Sequence, residues 1–470
     1  MTPARLRASL LVLVTLTTLG HLIFTSAWLQ GIAALALALY LAGVTRHLSS
    51  MARWLLAAAA ALSVVVLWRS DTPGRLLFEA AGRFAFFATF VVALSLLRLP
   101  AYRSRLVRRC GEAMLLQPPG RRYPILSAGS ALFGIILNIG VLNLFAGMIE
   151  KSNTLAAAQG RAWVRQVRQR RMMLALLRGF SLAPLISPMG IGVAVVLSNL
   201  PELRWLDLAP YVIGAALLIF LVGWGVDHVT GPHPAHVIAP DPASRRSSHP
   251  APSAAPLGQF CLLLLGVVSL VFLLAWALQV RLPIAVLMGA PLAAITWLAW
   301  QRRRLGMLGA PAALASLHRQ LPWLLAPSAN EVVVLGAAGY LGHLCVALVP
   351  VESLGPLMAA VQPLGAANAV LAMLLVMGLA QVGINPIVTV TLLVGLVPTL
   401  PIEGLPPALL GASLMVGWAL AMMSSPMTAS MLILSRFTGV ASSRIGYRWN
   451  ARFLLACIPL LAGWFLLAAW

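Results

Sequence analysis

The sequence predicts an all-α integral membrane protein with about 11 transmembrane helices and two opposed re-entrant hairpins, arranged as an inverted repeat. Three observations carry that expectation. Of 470 residues, 60% are hydrophobic and only 9% charged, too few charges for a water-facing surface. The mean hydropathy is +0.92, and apolar runs of membrane length follow one another. The net charge of +22 is carried by arginines in the gaps between those runs, as the positive-inside rule produces. Together these exclude a soluble enzyme, a disordered chain and a nucleic-acid binder. A further observation, a set of polar and proline breaks that recurs in both halves, emerges along the chain.

Arg5 and Arg7 precede the first apolar run, which places the N-terminus inside. A cleaved signal peptide is the alternative for residues 1–27, but about ten similar runs follow it, which favours an uncleaved span. Spans are predicted at 8–25, 28–44, 54–68 and 77–97. The loop after them carries Arg98, Arg103, Arg105, Arg108, Arg109, Arg121 and Arg122, and is cytoplasmic. Lys151 is the only lysine; arginine and alanine richness suggest a GC-rich bacterial genome, hence a bacterial inner membrane. Cys110, Cys261, Cys345 and Cys457 are scattered, with no disulfide or metal spacing.

The run 124–149 conflicts with simple alternation. If it crossed, Lys151, Arg161, Arg165, Arg168, Arg170, Arg171 and Arg178 would lie outside. The conflict vanishes if the run enters and leaves on one side. Gly134, Asn138, Gly140, Asn143 and Gly147 supply turn-forming residues; an ordinary span with its asparagines against neighbouring helices is the alternative. The segment 154–178 is then expected as a separate cytoplasmic helix, with Arg161, Arg165 and Arg168 forming a stripe on the inner leaflet. Run 179–200 is broken at Ser187-Pro188-Met189-Gly190, and 208–226 returns. The stretch 229–256 is a Pro/Ala/Ser-rich linker. Asp227, His228, His233 and His236 there are a weak metal alternative, and no metal site is expected.

Spans 257–279, 283–300 and 328–350 follow. Run 368–400, with Asn385-Pro386 in its middle, is a second hairpin opening from the outside. Run 409–435 breaks at Ser424-Ser425-Pro426, and 453–470 ends the chain. The halves correspond in order: Glu79 and Glu331, Asn138 and Asn385, then Ser187-Pro188-Met189 and Ser425-Pro426-Met427. The organisation is thus N-terminal spans 1–53, first repeat 54–228, linker 229–256 and second repeat 257–470. Unpaired main-chain groups at such breaks are tolerated only where they line a cavity or meet a ligand, and opposed repeats of discontinuous helices are the architecture of secondary transporters.

This layout resembles the ion transporter superfamily, which includes the divalent anion–sodium symporters. The resemblance spans 54–470 in layout and 130–200 and 378–440 in motif. It implies a homodimer, a scaffold with a mobile transport domain, and elevator motion. Those symporters carry Ser-Asn-Thr at both hairpin tips. Here the tips read Leu137-Asn138-Ile139-Gly140 and Ile384-Asn385-Pro386-Ile387, so only the asparagine carries over.

The candidate substrate or ion site is Asn138, Asn143, Ser187, Asn385, Thr389, Ser424, Ser425 and Thr428, with main-chain groups of Pro188, Gly190 and Pro426. Each hydroxyl could instead bond its own helix backbone. Glu79 and Arg83, four apart, are expected to pair; Glu331 and His343 are further intramembrane ionisable candidates for coupling. No cofactor is expected beyond a coupling Na+ or H+, and no nucleic acid; the expected partners are a small-molecule substrate and lipid. The function expected is secondary transport of a small anionic organic metabolite. A non-transporting membrane subunit and a membrane enzyme are the alternatives, the latter lacking any Ser/His/Asp set or HExxH run.

Overall fold

A computed structural model describes residues 2–231, 255–348, 355–397 and 402–469. Most of the linker, including His233 and His236, lies outside the described residues, as do Glu352 and positions 398–400 of the second hairpin run. Among the described residues there is no strand.

The helices are α1 (Pro3–Phe24), α2 (Ala27–Val44), α3 (Ser50–Arg69), α4 (Pro73–Arg103), α5 (Arg105–Leu115), α6 (Pro119–Leu137), α7 (Gly140–Ser152), α8 (Ala162–Ile186), α9 (Ile191–Asn199) and α10 (Trp205–Val229). They continue as α11 (Ala255–Ala277), α12 (Leu282–Gln301), α13 (Gly309–Leu325), α14 (Ala329–Leu348), α15 (Gly355–Val361), α16 (Ala367–Gln381), α17 (Pro386–Leu396), α18 (Pro407–Ser424), α19 (Ala429–Thr438) and α20 (Ala451–Leu467). Prolines open several of them, at α1, α4, α6, α17 and α18, where the missing amide costs nothing.

The chain is a multi-pass membrane protein. Among the described residues, 10 helices are long and apolar enough to cross a bilayer, or 11 if one bent pair, Met358–Leu364 with Ala367–Gln381, counts as a span. The run expected as the last span is α20, with 17 residues, at the short end of what crosses. One expectation fails. Residues 154–178 do not form a separate surface helix, because α8 runs unbroken from Ala162 to Ile186. No glycine or proline lies between Ala162 and Arg178, and from Met172 its side chains are largely buried, so packing carries the helix from the charged loop into the core. Of the arginine stripe, Arg165 is tied down: its Nε donates to the Asn153 carbonyl at 3.1 Å, and Asn153 Nδ2 donates to the Arg165 carbonyl at 2.9 Å. Asp227 is held by both arms of Arg171, at 2.9 and 2.6 Å.

The helices pack in two layers. In one, α4 lies against α14, α12 and α1, with α2, α3 and α13 around them. In the other, α6 packs along α8 and α16 along α18, with α10 and α20 completing the bundle. Helices α4 and α14 are antiparallel. Arg98, near the end of α4, pairs with Glu331 at the start of α14 (2.9 Å), while Glu79, near the start of α4, meets His343 near the end of α14 (3.3 Å).

The remaining contacts are reciprocal. The second arm of each helix pair crosses to the other half: α7 packs on α19, and α17 on α9. The run α4–α10 therefore has the same order of parts as α14–α20, with its lead helix reversed. In each half a helix–break–helix unit is followed by a broken helix.

Candidate functional site at the four helix breaks

The two Ser-Pro-Met sequences fold alike. Ser187 ends α8 with φ −95°, ψ 117°, and Ser425 ends α18 with φ −76°, ψ 124°. In each, the serine amide closes the last turn, Ser187 to Ala183 and Ser425 to Ala421. Proline cannot continue the ladder, and the serine hydroxyl accepts the amide two residues on: Met189 N to Ser187 Oγ, and Met427 N to Ser425 Oγ, both 3.2 Å. Gly190 and Thr428 then cap α9 and α19 in matching extended conformations, φ −70° and −74°. Both serines thus shape the breaks through their own backbone.

The two tips differ. Asn138 follows α6 with φ +50°, ψ −138°, and α7 begins two residues later. Asn385 is the N-cap of α17, its Oδ1 accepting from Ile387 N at 2.9 Å. The positive-φ residue in the second tip is Gly383, at +93°. By conformation Asn138 therefore corresponds to Gly383, and the second tip is longer.

The second tip and its broken helix are joined directly. Ser425 Oγ donates to the Ala380 carbonyl at 2.6 Å, Gln381 Nε2 donates to Ser424 Oγ at 3.0 Å, and Tyr447 OH donates to Gln381 Oε1 at 3.2 Å. Thr428 Oγ1 returns to the Ser425 carbonyl at 2.9 Å. In the first half the approach lies one turn lower, where a Cβ on Gly134 would sit 2.7 Å from the Ala183 Cβ. Pro188 is buried and Pro426 half-buried. Thr389 is buried in α17 with no partner for its hydroxyl, and Asn143 is exposed in the first turn of α7. The N-termini of α7, α9, α17 and α19 all end at these breaks, and each carries positive partial charge.

The ionisable candidates lie in the other layer, away from the breaks. The expected Glu79–Arg83 pair does not form. Glu79 Oε1 accepts from Arg75 Nε at 2.8 Å, and Arg83 Nη1 donates to the Ser198 carbonyl at 2.9 Å, capping α9. A carbonyl in the last turn of α9 takes the guanidinium that helix spacing alone would give to Glu79.

Two features of this region escape the sequence reading. Gly179 and Gly417 stand at the same distance before Ser187 and Ser425. A Cβ on Gly179 would lie 2.1 Å from the Ser127 carbonyl oxygen, and one on Gly417 2.5 Å from that of Met373. Each glycine lets a broken helix touch the backbone of the first arm, and a Gly-x7-Ser-Pro-Met repeat would have revealed both. The second feature is Arg178, only 3% exposed. It donates to Asn450 Oδ1 (3.0 Å) and to the Gly223 carbonyl (3.4 Å), with its guanidinium 4.3 Å from the Phe453 ring centre. Asn450 Nδ2 in turn donates to the Met423 carbonyl at 3.0 Å, beside the second break. Charge counting had assigned Arg178 to a cytoplasmic segment.

No protein-family model and no curated protein matches this sequence. Among solved structures, the chain is similar to Neisseria gonorrhoeae MtrF, described with a class of antimetabolite efflux pumps. The identity is 14% and the TM-score 0.53, covering 84% of this chain and 85% of that one. It is also similar to the Alcanivorax borkumensis YdaH transporter, described as having an unusual topology, at 16% identity and TM-score 0.54, over 88% of this chain and 97% of that one. At these identities the likeness establishes the membrane fold.

Proposed function

We propose that this chain is a secondary transporter of a small anionic organic metabolite, with its substrate site at the four helix breaks. The observation that carries this reading is the reciprocal interlock: two identical Ser-Pro-Met breaks, each facing a helix–break–helix tip, with the outer limbs exchanged between halves. Helix breaks are costly in a membrane unless a ligand or cavity uses the freed main-chain groups. Four helix N-termini and the buried Arg178 favour negative charge there. The α1–α4 and α11–α14 layer would serve as scaffold and the other as the moving body, in an elevator-type cycle coupled to Na+ or H+. A homodimer in a bacterial inner membrane, with the N-terminus cytoplasmic, completes the proposal, as does kinship with the ion transporter superfamily.

Two solved neighbours are described as transport proteins, which supports transport over catalysis. The description of MtrF with antimetabolite efflux pumps favours a second reading on direction, export of antimetabolites.

The deciding measurement is flux in proteoliposomes. A panel of labelled mono- and dicarboxylates is offered under imposed Na+ or H+ gradients, with counterflow as a gradient-free control. Gradient-dependent accumulation of at least one member is expected. Absence of both flux and counterflow across the panel, with protein that is folded, would favour a non-transporting subunit. Resistance of expressing cells to an antimetabolite, without uptake, would favour export.

A further inference from the structure

A second polar region lies where the two layers meet at the far end of α9. A cavity of about 450 Å³ opens there between α1, α4, α12, α14 and the α9 C-terminus. On the arginine-based topology this is the outer side. Two cations line it. Arg83 donates one of its N–H groups to the Ser198 carbonyl (2.9 Å), and Arg281 one of its own to the Leu197 carbonyl (3.0 Å). Two guanidinium groups on adjacent carbonyls repel each other, and each keeps further donors unused. Among the described residues the one carboxylate lining the cavity, Glu79, is engaged by Arg75 and faced by His343. His21 is bound through Nδ1 to the Ser26 carbonyl at 2.9 Å.

An independent observation comes from α1. Thr15 and Thr17 return their hydroxyls to the helix backbone, but Thr18, which lines this cavity and is 5% exposed, has no partner for its Oγ1. A buried hydroxyl without a partner is costly, so it marks a place where a ligand or water accepts a bond. Gln30 also lines it, with its Nε2 donating to the Phe78 carbonyl at 2.9 Å, and Leu22, Phe86 and Ile284 supply an apolar wall.

We propose that this cavity binds a small amphiphilic carboxylate, separately from the four breaks, with Arg83 and Arg281 holding the carboxylate, Thr18 donating to it, and the apolar wall taking its body. An anion between the guanidinium groups neutralises their repulsion without displacing them from α9, because the remaining N–H groups suffice. The site joins α4 and α12 of one layer to α9 of the other, so its occupancy bears on whether the layers can part. The binding claim stands whether or not the chain transports.

The test uses the purified full chain in detergent and reads the melting temperature against phenylacetate and its neutral isostere phenylacetamide. A saturable rise with phenylacetate, weakened by salt and absent with the amide, is expected. Arg281→Gln, at an exposed position, should weaken apparent affinity about tenfold by removing a charge-assisted bond, and Thr18→Val by a smaller factor. The double variant Arg83→Gln/Arg281→Gln should lose the shift; should it fail to fold, the single Arg281 variant decides. An equal shift with the amide, an unchanged affinity in Arg281→Gln, or no saturable shift in folded protein would overturn the proposal. None of these outcomes depends on flux, so failure here leaves the transport assay to be judged separately.

Discussion

The two Ser-Pro-Met breaks share sequence, backbone geometry and the amide-to-serine bond that shapes the turn, yet only one is open. Met189 is 1% exposed in the first break, whereas Met427 is 65% exposed in the second. Around the first, Ser187 and Pro188 are buried; around the second, Val382, Ile384 and Tyr447 are exposed as well. Local chemistry sets the shape of each break, and the surrounding packing sets its access. Tyr447 precedes Arg448 and Arg452, so the open break faces the cytoplasm on the arginine-based topology. Opposed repeats that exchange conformations would open the first break and close the second on the other side of a transport cycle.

The comparison assumes that both breaks rest on the same support, and the paired glycines test this most severely. Inserting even one methylene into a tight contact costs about 1–3 kcal/mol. Gly179→Leu and Gly417→Leu would drive a whole side chain into a backbone carbonyl. Loss of monodisperse folded protein is expected for both, read by size-exclusion chromatography and thermal melting. If only one variant fails, the supports are not equivalent and the repeat is looser than its geometry suggests.

Access is the next largest effect. In a chain stripped of native cysteines, Met427→Cys should react with maleimide in inside-out vesicles about a hundredfold faster than Met189→Cys, the factor given by an opening cost of about 2.7 kcal/mol. Equal rates would remove the asymmetry. Reaction of position 427 from outside would reverse the assigned topology, and labelling of Ser152→Cys in intact cells would reject the same-side entry and exit of residues 124–149.

The halves also differ in charge. Arg178 in α8 has Val416 as its counterpart in α18, so an apolar side chain stands where the first half buries a cation. Asn450→Ala removes the acceptor of that cation and should cost about 2–3 kcal/mol, seen as a lower melting temperature. Replacing both partners by apolar residues, Arg178→Met with Asn450→Leu, should recover most of the loss, because the unmet charge goes with its acceptor. If the double variant is as unstable as the single, Arg178 contributes chiefly through its packing on Phe453 and Tyr123.

What could be read from the sequence divides along the same line between local and tertiary causes. Proline removes an amide donor and crowds the preceding turn, so the breaks at 187 and 425 are legible, and the turn residues near 138 and 383–385 mark the tips. The charged pairs were not. Glu79 has an arginine four residues away on each side, and helix spacing favours Arg83 as partner. The structure gives it Arg75, because Arg83 is drawn to a carbonyl of α9, distant in sequence. Asparagine at both tips suggested equivalence, but one carries a positive φ and the other an N-cap, a difference set by loop length. Arg178 was hidden because charge counting treats a run of arginines as one loop, while α8 carries its last arginine into the core. The paired glycines read as filler in apolar runs until their neighbours were known.

The smallest effect separates the two serines themselves. Ser187 Oγ accepts one amide, that of Met189. Ser425 Oγ accepts the corresponding amide and also donates to the Ala380 carbonyl at 2.6 Å, fastening the second tip to its broken helix. A single net hydrogen bond is worth about 1 kcal/mol, so Ser187→Ala should lower stability by about that amount and Ser425→Ala by about 2 kcal/mol. The second bond also restrains the open break, so Ser425→Ala should speed maleimide reaction at a cysteine placed at Val382, while Ser187→Ala should leave it unchanged. Equal melting shifts with equal labelling would mean that the Ser425–Ala380 contact carries no weight, and that the second tip is held by Gln381 and Tyr447 alone.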